Sequence, residues 1–145
     1  MKEALYETLA LVGTIDPQAV DGATVLSDAV DMADCEELLA ILALGVIEDV
    51  VDMKLVQAVT SGGTYKDITG KAITQIAGTG DAGQAMIRLR APELDVANGY
   101  RYVKASVTVG ATGAGGLVCA LLLKGKCRNE PASALNLASV AEIVD

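Results

Sequence analysis

The clearest pattern in the sequence is an alternation of apolar and polar side chains over residues 101–109. A period of two residues places the apolar set on one face of a β-strand and the polar set on the other. The apolar set is Val103, Ala105, Val107 and Val109. Similar alternation recurs over three shorter stretches, residues 52–59, 72–76 and 85–90. The pattern therefore predicts a half-buried strand in each of these stretches.

Two further segments, residues 38–47 and 117–123, are apolar on both faces. Such runs fit either buried strands or turns of a buried helix. Ahead of the first segment, Asp34 followed three residues later by Glu37 is typical of a helix start, whereas Gly45 and the Val-Ile pair after it favour a strand. The second segment is bounded by glycines at strand-length spacing. We predict a strand for both.

Glycine-rich turns separate these runs, at residues 61–63, 78–81, 98–99 and 110–116. Short strands punctuated in this way indicate an all-β fold, a β-sandwich of the jelly-roll type. A chain of 145 residues suits a single domain over residues 1–145. We predict that residues 1–20 form an extended N-terminal arm, its first part of strand or short-helix character. Residues 132–145 form an extended C-terminal arm that packs over its own subunit or over a neighbour.

Composition narrows the possible functions. The sequence contains no histidine, which excludes Ser-His-Asp and Cys-His mechanisms and histidine metal ligands within one chain. We expect no catalytic residues, no cofactor and no enzymatic activity. Hydrophobic residues make up 52% of the chain, although its only aromatic side chains are four tyrosines. This surplus of aliphatic side chains favours burial of apolar surface between copies, so we predict a homo-oligomer.

Charge and targeting signals exclude other partners. The formal net charge is −8, and an acidic protein repels phosphates, so we expect no direct nucleic-acid binding. The apolar runs are too short to cross a bilayer and the N-terminus lacks the features of a signal peptide, so we expect no membrane partner and synthesis inside the cell. Cys35, Cys119 and Cys127 form no CxxC pair, and we expect reduced thiols, with Cys119 buried as a small hydrophobic residue.

Two sequence patterns could indicate a ligand-binding or catalytic site. Residues 78–83 match the letters GxGxxG, but the next segment alternates as a strand, so a hairpin turn is favoured over a dinucleotide site. A cluster of acidic residues could hold a hard cation such as Ca²⁺ or act as paired carboxylates, but its spacing does not follow an EF-hand. We therefore predict a solvated acidic surface and no metal site. The cluster comprises Asp28, Asp31, Asp34, Glu36, Glu37, Glu48, Asp49 and Asp52.

The sequence also indicates where copies of the chain could touch. Tyr100, Arg101 and Tyr102 are of the residue types enriched at interface hot spots, and Tyr102 falls on the polar face of its strand. In the C-terminal arm, Leu135, Leu137 and Val140 are the further interface candidates. Basic residues are concentrated after residue 87 and acidic ones before it. That asymmetry could guide head-to-tail contact between subunits, or it could reflect ordinary solvated strand faces.

Three stretches carry a resemblance to a known family. They are Thr64-Tyr65-Lys66-Asp67-Ile68-Thr69-Gly70, then Gly99-Tyr100-Arg101-Tyr102-Val103-Lys104-Ala105-Ser106-Val107-Thr108, and the apolar run 117–125 followed by Arg128-Asn129-Glu130-Pro131. Over about the last two thirds of its length the chain resembles small structural proteins encoded in the head-gene clusters of tailed bacteriophages. Position 104 is Lys, where that pattern commonly has Arg.

The resemblance implies a capsid decoration (cement) protein. Such a protein is a β-sandwich that binds the outer surface of an icosahedral head, typically as a trimer in contact with the major capsid protein. It would be made in the bacterial host cytoplasm and reside on the virion surface. The alternatives are a head–tail connector or tail structural protein and, in a different class, a carbohydrate-binding β-sandwich module.

Overall fold

The computed structural model describes residues 4–79 and 82–144. Within them the chain forms nine strands, one helical turn and three 3₁₀ turns. The strands are β1 (Leu9–Val20), β2 (Thr24–Leu26), β3 (Val30–Asp31), β4 (Cys35–Ile47), β5 (Val51–Ala58), β6 (Lys66–Ala72), β7 (Gly83–Arg90), β8 (Tyr102–Val109) and β9 (Gly116–Cys127). The helical turn is α1 (Leu5–Thr8), and the 3₁₀ turns are Ala91–Glu93, Val96–Asn98 and Ala132–Leu135. No helix in this part of the chain is both long enough and apolar enough to cross a lipid bilayer.

The strands form two antiparallel sheets. Sheet A has the order β1-β9-β4-β7, and sheet B has the order β2-β8-β5-β6, with β3 also paired to β8. Each sheet interleaves strands from the first and last parts of the chain, as two Greek keys do when they make a jelly roll. The predicted all-β, jelly-roll sandwich is confirmed.

The two segments that are apolar on both faces are the central strands of sheet A. Residues 38–47 lie in β4 and residues 117–123 lie in β9, and the two strands pair over nearly their whole length. In β4 every second side chain points inward and is buried, while the alternate ones face the other side of the sheet. The inward set is Leu38, Ala40, Leu42 and Leu44. The strand interpretation is therefore confirmed. The residues that follow Asp34 pair as a strand and do not begin a helix.

One hydrophobic core fills the space between the sheets. In β8, the predicted apolar set from Val103 to Val109 is fully buried, as are Met53 and Leu55 of β5. From sheet A, Leu38, Leu42 and Leu122 belong to the same cluster. Burying a side chain of this size contributes about 1.5–3 kcal/mol to stability. The inward residues of both sheets meet in this core. Because side chains alternate along a strand, the residues between them face outward.

Two local predictions differ from the structure, and a third falls partly outside the described residues. The predicted N-terminal arm contains β1, the edge strand of sheet A, because residues 9–20 pair with β9. The predicted strand at 72–76 is largely wrong, because β6 ends at Ala72 and residues 73–76 run irregularly beside β5. Part of the predicted turn at 78–81, and of the GxGxxG match, falls on residues 80 and 81, which lie outside the described residues.

The expectation of reduced thiols is wrong for two of the three cysteines. Cys35, at the start of β4, and Cys127, at the end of β9, form a disulfide although they are 92 residues apart in sequence. The register of the two strands places them directly opposite each other. Cys119 remains a free thiol and is half-buried. Burial raises the pKa of the Cys119 thiol, and the nearby carboxylate of Asp16 raises it further.

Candidate interaction surfaces

The outward side of sheet A is apolar along its central strands β4 and β9, while Thr14 of β1 and Gln84 and Arg88 of β7 are among its polar residues. We call this surface the apolar face. On β4 and β9, directly opposed pairs are aliphatic, such as Leu39 with Leu123 and Ile41 with Leu121. Two side chains of the face are strongly exposed, Met86 by 64% and Leu117 by 50%. Its members are Leu11, Leu39, Ile41, Ala43, Met86, Leu117, Cys119, Leu121 and Leu123.

The outward side of sheet B is polar by contrast. Opposed pairs there are Asp52 with Thr108 and Lys54 with Ser106. Lys54 also forms an exposed ion pair of 2.8 Å with Asp67 of β6. An antiparallel sheet in a sandwich ordinarily has one face on the core and one in water. Sheet B follows this rule and sheet A departs from it, so the two sides of the molecule differ in chemistry.

Tyr100, Arg101 and Tyr102 lie together where β8 begins. The Nε atom of Arg101 donates a 2.9 Å hydrogen bond to Oδ1 of Asp31, and its Nη2 atom donates to Oδ2. The same guanidinium lies 5.3 Å from the centroid of the Tyr102 ring. The ammonium group of Lys66 lies 4.0 Å from the centroid of the Tyr100 ring. These contacts hold an aromatic and cationic surface in a fixed arrangement at one end of the sandwich.

A groove of about 440 Å³ opens beside this cluster, at the end of the sandwich where β3, β7 and β9 finish. We call it the end groove. Most of its lining is apolar, and its basic residues are Arg101 and Arg128. Pro92, Leu94, Val96 and Tyr100 are among the apolar and aromatic residues of the lining.

The other predicted interface residues lie elsewhere. The C-terminal arm runs along the free edge of β1, where the Leu11 amide donates a 2.7 Å hydrogen bond to the Asn136 side chain and the Leu137 amide donates a 2.8 Å bond to the Leu11 carbonyl. Leu137 and Val140 are half-buried there, and Leu135 is more exposed. The structure therefore places Leu135, Leu137 and Val140 on the arm, and it places Tyr100 and Arg101 at the end groove.

Within the acidic cluster, Asp31 and Glu37 form separate ion pairs with basic residues. Glu37 accepts a 2.9 Å hydrogen bond from Nζ of Lys126 and another from Arg88. These two donors, Lys126 foremost, hold the pKa of Glu37 below its usual range. For Asp31, partial burial raises the pKa, but the hydrogen bonds from Arg101 and the Ala33 amide leave it lowered. Among the described residues, no three carboxylate or cysteine side chains are grouped so that they could hold a metal ion.

Asp49 is the exception among the acidic residues, because it is only 2% exposed. It follows β4, and its carboxylate accepts hydrogen bonds from the amides of Thr112, Gly113 and Gly115 and from the Thr112 hydroxyl. These bonds, led by the Thr112 hydroxyl, outweigh desolvation and lower the pKa of Asp49. The carboxylate organises the glycine-rich loop 110–115, a role that the sequence analysis missed.

The chain matches no protein-family model and no curated protein. Its fold is similar to those of several solved structures. A chain from Bacillus endospore appendages, described as disulfide-linked pili, is 16% identical at a TM-score of 0.39, over 86% of this chain and 96% of that one. A chain from the cryo-EM structure of broad bean stain virus is 9% identical at a TM-score of 0.47, over 95% of this chain and 93% of that one.

A chain from a structure described as CBM4 is 12% identical at a TM-score of 0.42, over 77% of this chain and 66% of that one. At these identities and TM-scores the likeness concerns the fold alone, and it indicates nothing about what this chain binds.

Proposed function

We propose that this protein is a virion structural protein that binds the outer surface of an icosahedral phage capsid as a trimer and stabilises the shell. The proposal combines the sequence resemblance to small phage head proteins with one structural observation, the apolar face of sheet A. The role requires no catalysis and no cofactor. Its partners are other copies of the chain and the major capsid protein, and its place is the virion surface.

The apolar face has the size of a weak docking site. It spans about three inter-strand distances by seven residues of β9, or roughly 14 by 20 Å, which is an area of about 300 Å². Removing that area from water contributes about 7 kcal/mol. Association costs about 4–15 kcal/mol in lost translational and rotational freedom. One copy alone therefore gains little from this face, whereas three linked copies that dock together bind much more tightly.

The difference between the two sheets supports one orientation of the bound subunit. We place sheet A against the shell, because contact removes its aliphatic side chains from water. Sheet B then faces solvent, where its lysines, aspartates and threonines remain hydrated. In this orientation each trimer bridges neighbouring capsid subunits, and rupture of the shell requires these contacts to break as well.

The decisive experiment measures binding to phage shells that lack this chain. Wild-type protein should bind them saturably, and Ile41→Asp, which puts a charge at the centre of the apolar face, should weaken binding at least tenfold. Thr24→Asp, a matched change on the exposed side of sheet B, should leave binding unchanged. Equal loss in both variants, or no binding by the wild type, would refute the proposal.

The copy number in purified virions separates the proposal from its nearest alternative. A decoration protein is present in on the order of hundreds of copies, whereas a connector or tail ring contributes about a dozen or fewer. Quantitative mass spectrometry against the major capsid protein gives this number. A count near a dozen would favour the connector and overturn the decoration role.

A further inference from the structure

The end groove combines an apolar lining with an unpaired positive charge. Leu94, Val96 and Pro92 supply the apolar lining. Arg101 is already paired with Asp31, but no carboxylate of the described residues pairs with Arg128. An aliphatic segment that also carries a carboxylate fits such a groove, because it removes apolar surface from water and satisfies the guanidinium.

A recess of about 580 Å³ adjoins the groove and shares Arg128 with it. This recess adds Arg90, whose nearest carboxylate, that of Glu93, is 3.7 Å away. Arg88 and Lys126 also line it, but both bind Glu37. Arg90 and Arg128 therefore leave this end of the molecule with positive charge that is at most loosely neutralised, and an acidic ligand complements it.

The last described residues of the chain have the matching chemistry. Beyond Val140 the sequence continues Ala-Glu-Ile-Val-Asp. Ile143 is 44% exposed and Val144 is 82% exposed, although the preceding part of the arm packs against β1. Glu142 is exposed and forms none of the ion pairs among the described residues. Two neighbouring aliphatic side chains are thus exposed, and the carboxylate beside them has no ion-pair partner among the described residues.

In the structure, residues 141–144 lie outside the groove of their own subunit. None of them is among the residues that line it. Val144 stays 82% exposed, and the arm that leads to it runs along β1, at the opposite edge of sheet A from β7. The groove is therefore open to the same segment of another copy.

We propose that residues 141–144 of one copy dock in the end groove of the next, with Ile143 and Val144 on its apolar lining and Glu142 at Arg128. The contact joins two different surfaces, so it repeats from copy to copy and closes into a ring when the rotation allows. The inference rests on the proposed function in one respect, because it supplies the contact that builds the proposed trimer.

A charge exchange tests the proposal in the full chain by analytical ultracentrifugation. Wild-type protein should be trimeric, and Arg128→Glu or Glu142→Arg alone should each weaken association about tenfold or more. The double variant, with both charges reversed, should recover association to within about threefold of wild type. Glu48→Arg, the same charge change at the opposite end of the sandwich, is the matched control and should have no effect. Circular dichroism verifies that each variant is folded.

Truncation and crosslinking test the same contact without relying on charge. A chain that ends at Val140 keeps the bonds to Leu11 and should be a folded monomer. A photo-crosslinking residue at position 144, in mixtures of isotopically light and heavy chains, should crosslink to residues 91–101 of a different copy. A monomeric wild type, unaffected single variants, failed recovery in the double variant, or a crosslink within one chain would each overturn the proposal.

These results are separable from failure of the capsid role. A chain that trimerises through residues 141–144 but does not bind shells refutes the proposed function and leaves the tail contact standing. If shell binding depends on Ile41 but association between copies is unaffected by the changes at Arg128 and Glu142, the tail contact alone is refuted.

Discussion

The hydroxyl of Thr112 donates a 2.6 Å hydrogen bond to the carboxylate of Asp49, a residue 63 positions earlier in the chain. The Thr112 amide donates a second bond, of 3.0 Å, to the same oxygen. Asp49 lies two residues after the end of β4, and Thr112 lies in the loop before β9. One buried carboxylate therefore ties together the ends of the two central strands of sheet A.

The first prediction concerns acid stability. Hydrogen bonds in the folded state lower the pKa of Asp49 below the value of about 3.9 that it has when unfolded. The contribution of the Asp49 hydrogen bonds to stability is therefore complete when the pH is above the pKa of the unfolded state. It is lost as the pH falls through the lower pKa of the folded state. Asp49→Asn should flatten the dependence of the thermal midpoint on pH below about pH 4, measured by circular dichroism. Parallel curves for the two proteins would contradict this role.

The second prediction concerns Gly115, in the same loop. Its φ is +73°, and a Cβ atom there would lie 2.2 Å from the Val20 carbonyl oxygen. Gly115→Ala should therefore lower the free energy of unfolding by about 2 kcal/mol or more. Gly62→Ala is the matched control, because no atom lies within 4 Å of its added Cβ, and it should change stability by at most about 0.5 kcal/mol. Urea denaturation measures both.

The third prediction concerns the disulfide. Cys35 and Cys127 close a loop across 92 positions, so replacing both with Ala should lower the free energy of unfolding by about 2–5 kcal/mol. Reductant should destabilise the wild type and leave the double variant unchanged. Cys119→Ala removes the free thiol and serves as the control, with little expected effect. A wild type insensitive to reductant under unfolding conditions would count against a stabilising disulfide.

The fourth prediction separates the two sides of β4 at adjacent positions. Leu42 is fully buried in the core, so Leu42→Ala should cost about 2–5 kcal/mol of stability. Ile41 points outward, so Ile41→Ala should cost less than about 1 kcal/mol and should instead weaken shell binding. Chemical denaturation and the shell-binding measurement, applied to both variants, give the comparison. The opposite pattern would show that the sheet is turned the other way.

The fifth prediction concerns Tyr102. Tyr102→Ala removes the ring beside Arg101 without opening the core, because the inward residues of β8 are its neighbours Val103 and Ala105. It should weaken assembly without unfolding the sheets, as light scattering combined with circular dichroism would show. Loss of the β-sheet spectrum would mean that Tyr102 is structural instead.

The sequence predicted the sandwich because its strongest signals come from the core. The alternation predicted for β8 is present in the structure, because the side chains of Val103, Ala105, Val107 and Val109 are buried. The segments in β4 and β9 were equally informative, because a strand that is apolar on both sides needs cover on both sides. Their pairing with each other, which turns two apolar strands into one apolar face, depends on the order of strands in the sheet.

What the sequence could not give depends on contacts between distant residues. In the sequence Asp49 cannot be distinguished from the other acidic residues of a charged surface. Its role depends on the amides of residues 112–115, which only the fold brings next to it. The disulfide depends on the register between β4 and β9, which no local spacing encodes. β6 is short and mostly exposed, so it lacks the alternation that predicted β5, β7 and β8.

The disulfide and the Asp49 network hold opposite ends of the same pair of strands. A pulling force applied at the apolar face enters the molecule through β4 and β9. A covalent bond at one end stops the two strands from separating there, so we expect separation to begin at the glycine-rich end, where non-covalent contacts such as the Asp49 hydrogen bonds resist it. Acid weakens the hydrogen bonds to Asp49. The force needed to separate the two strands should therefore fall as the pH falls, and separation should begin at the glycine-rich end.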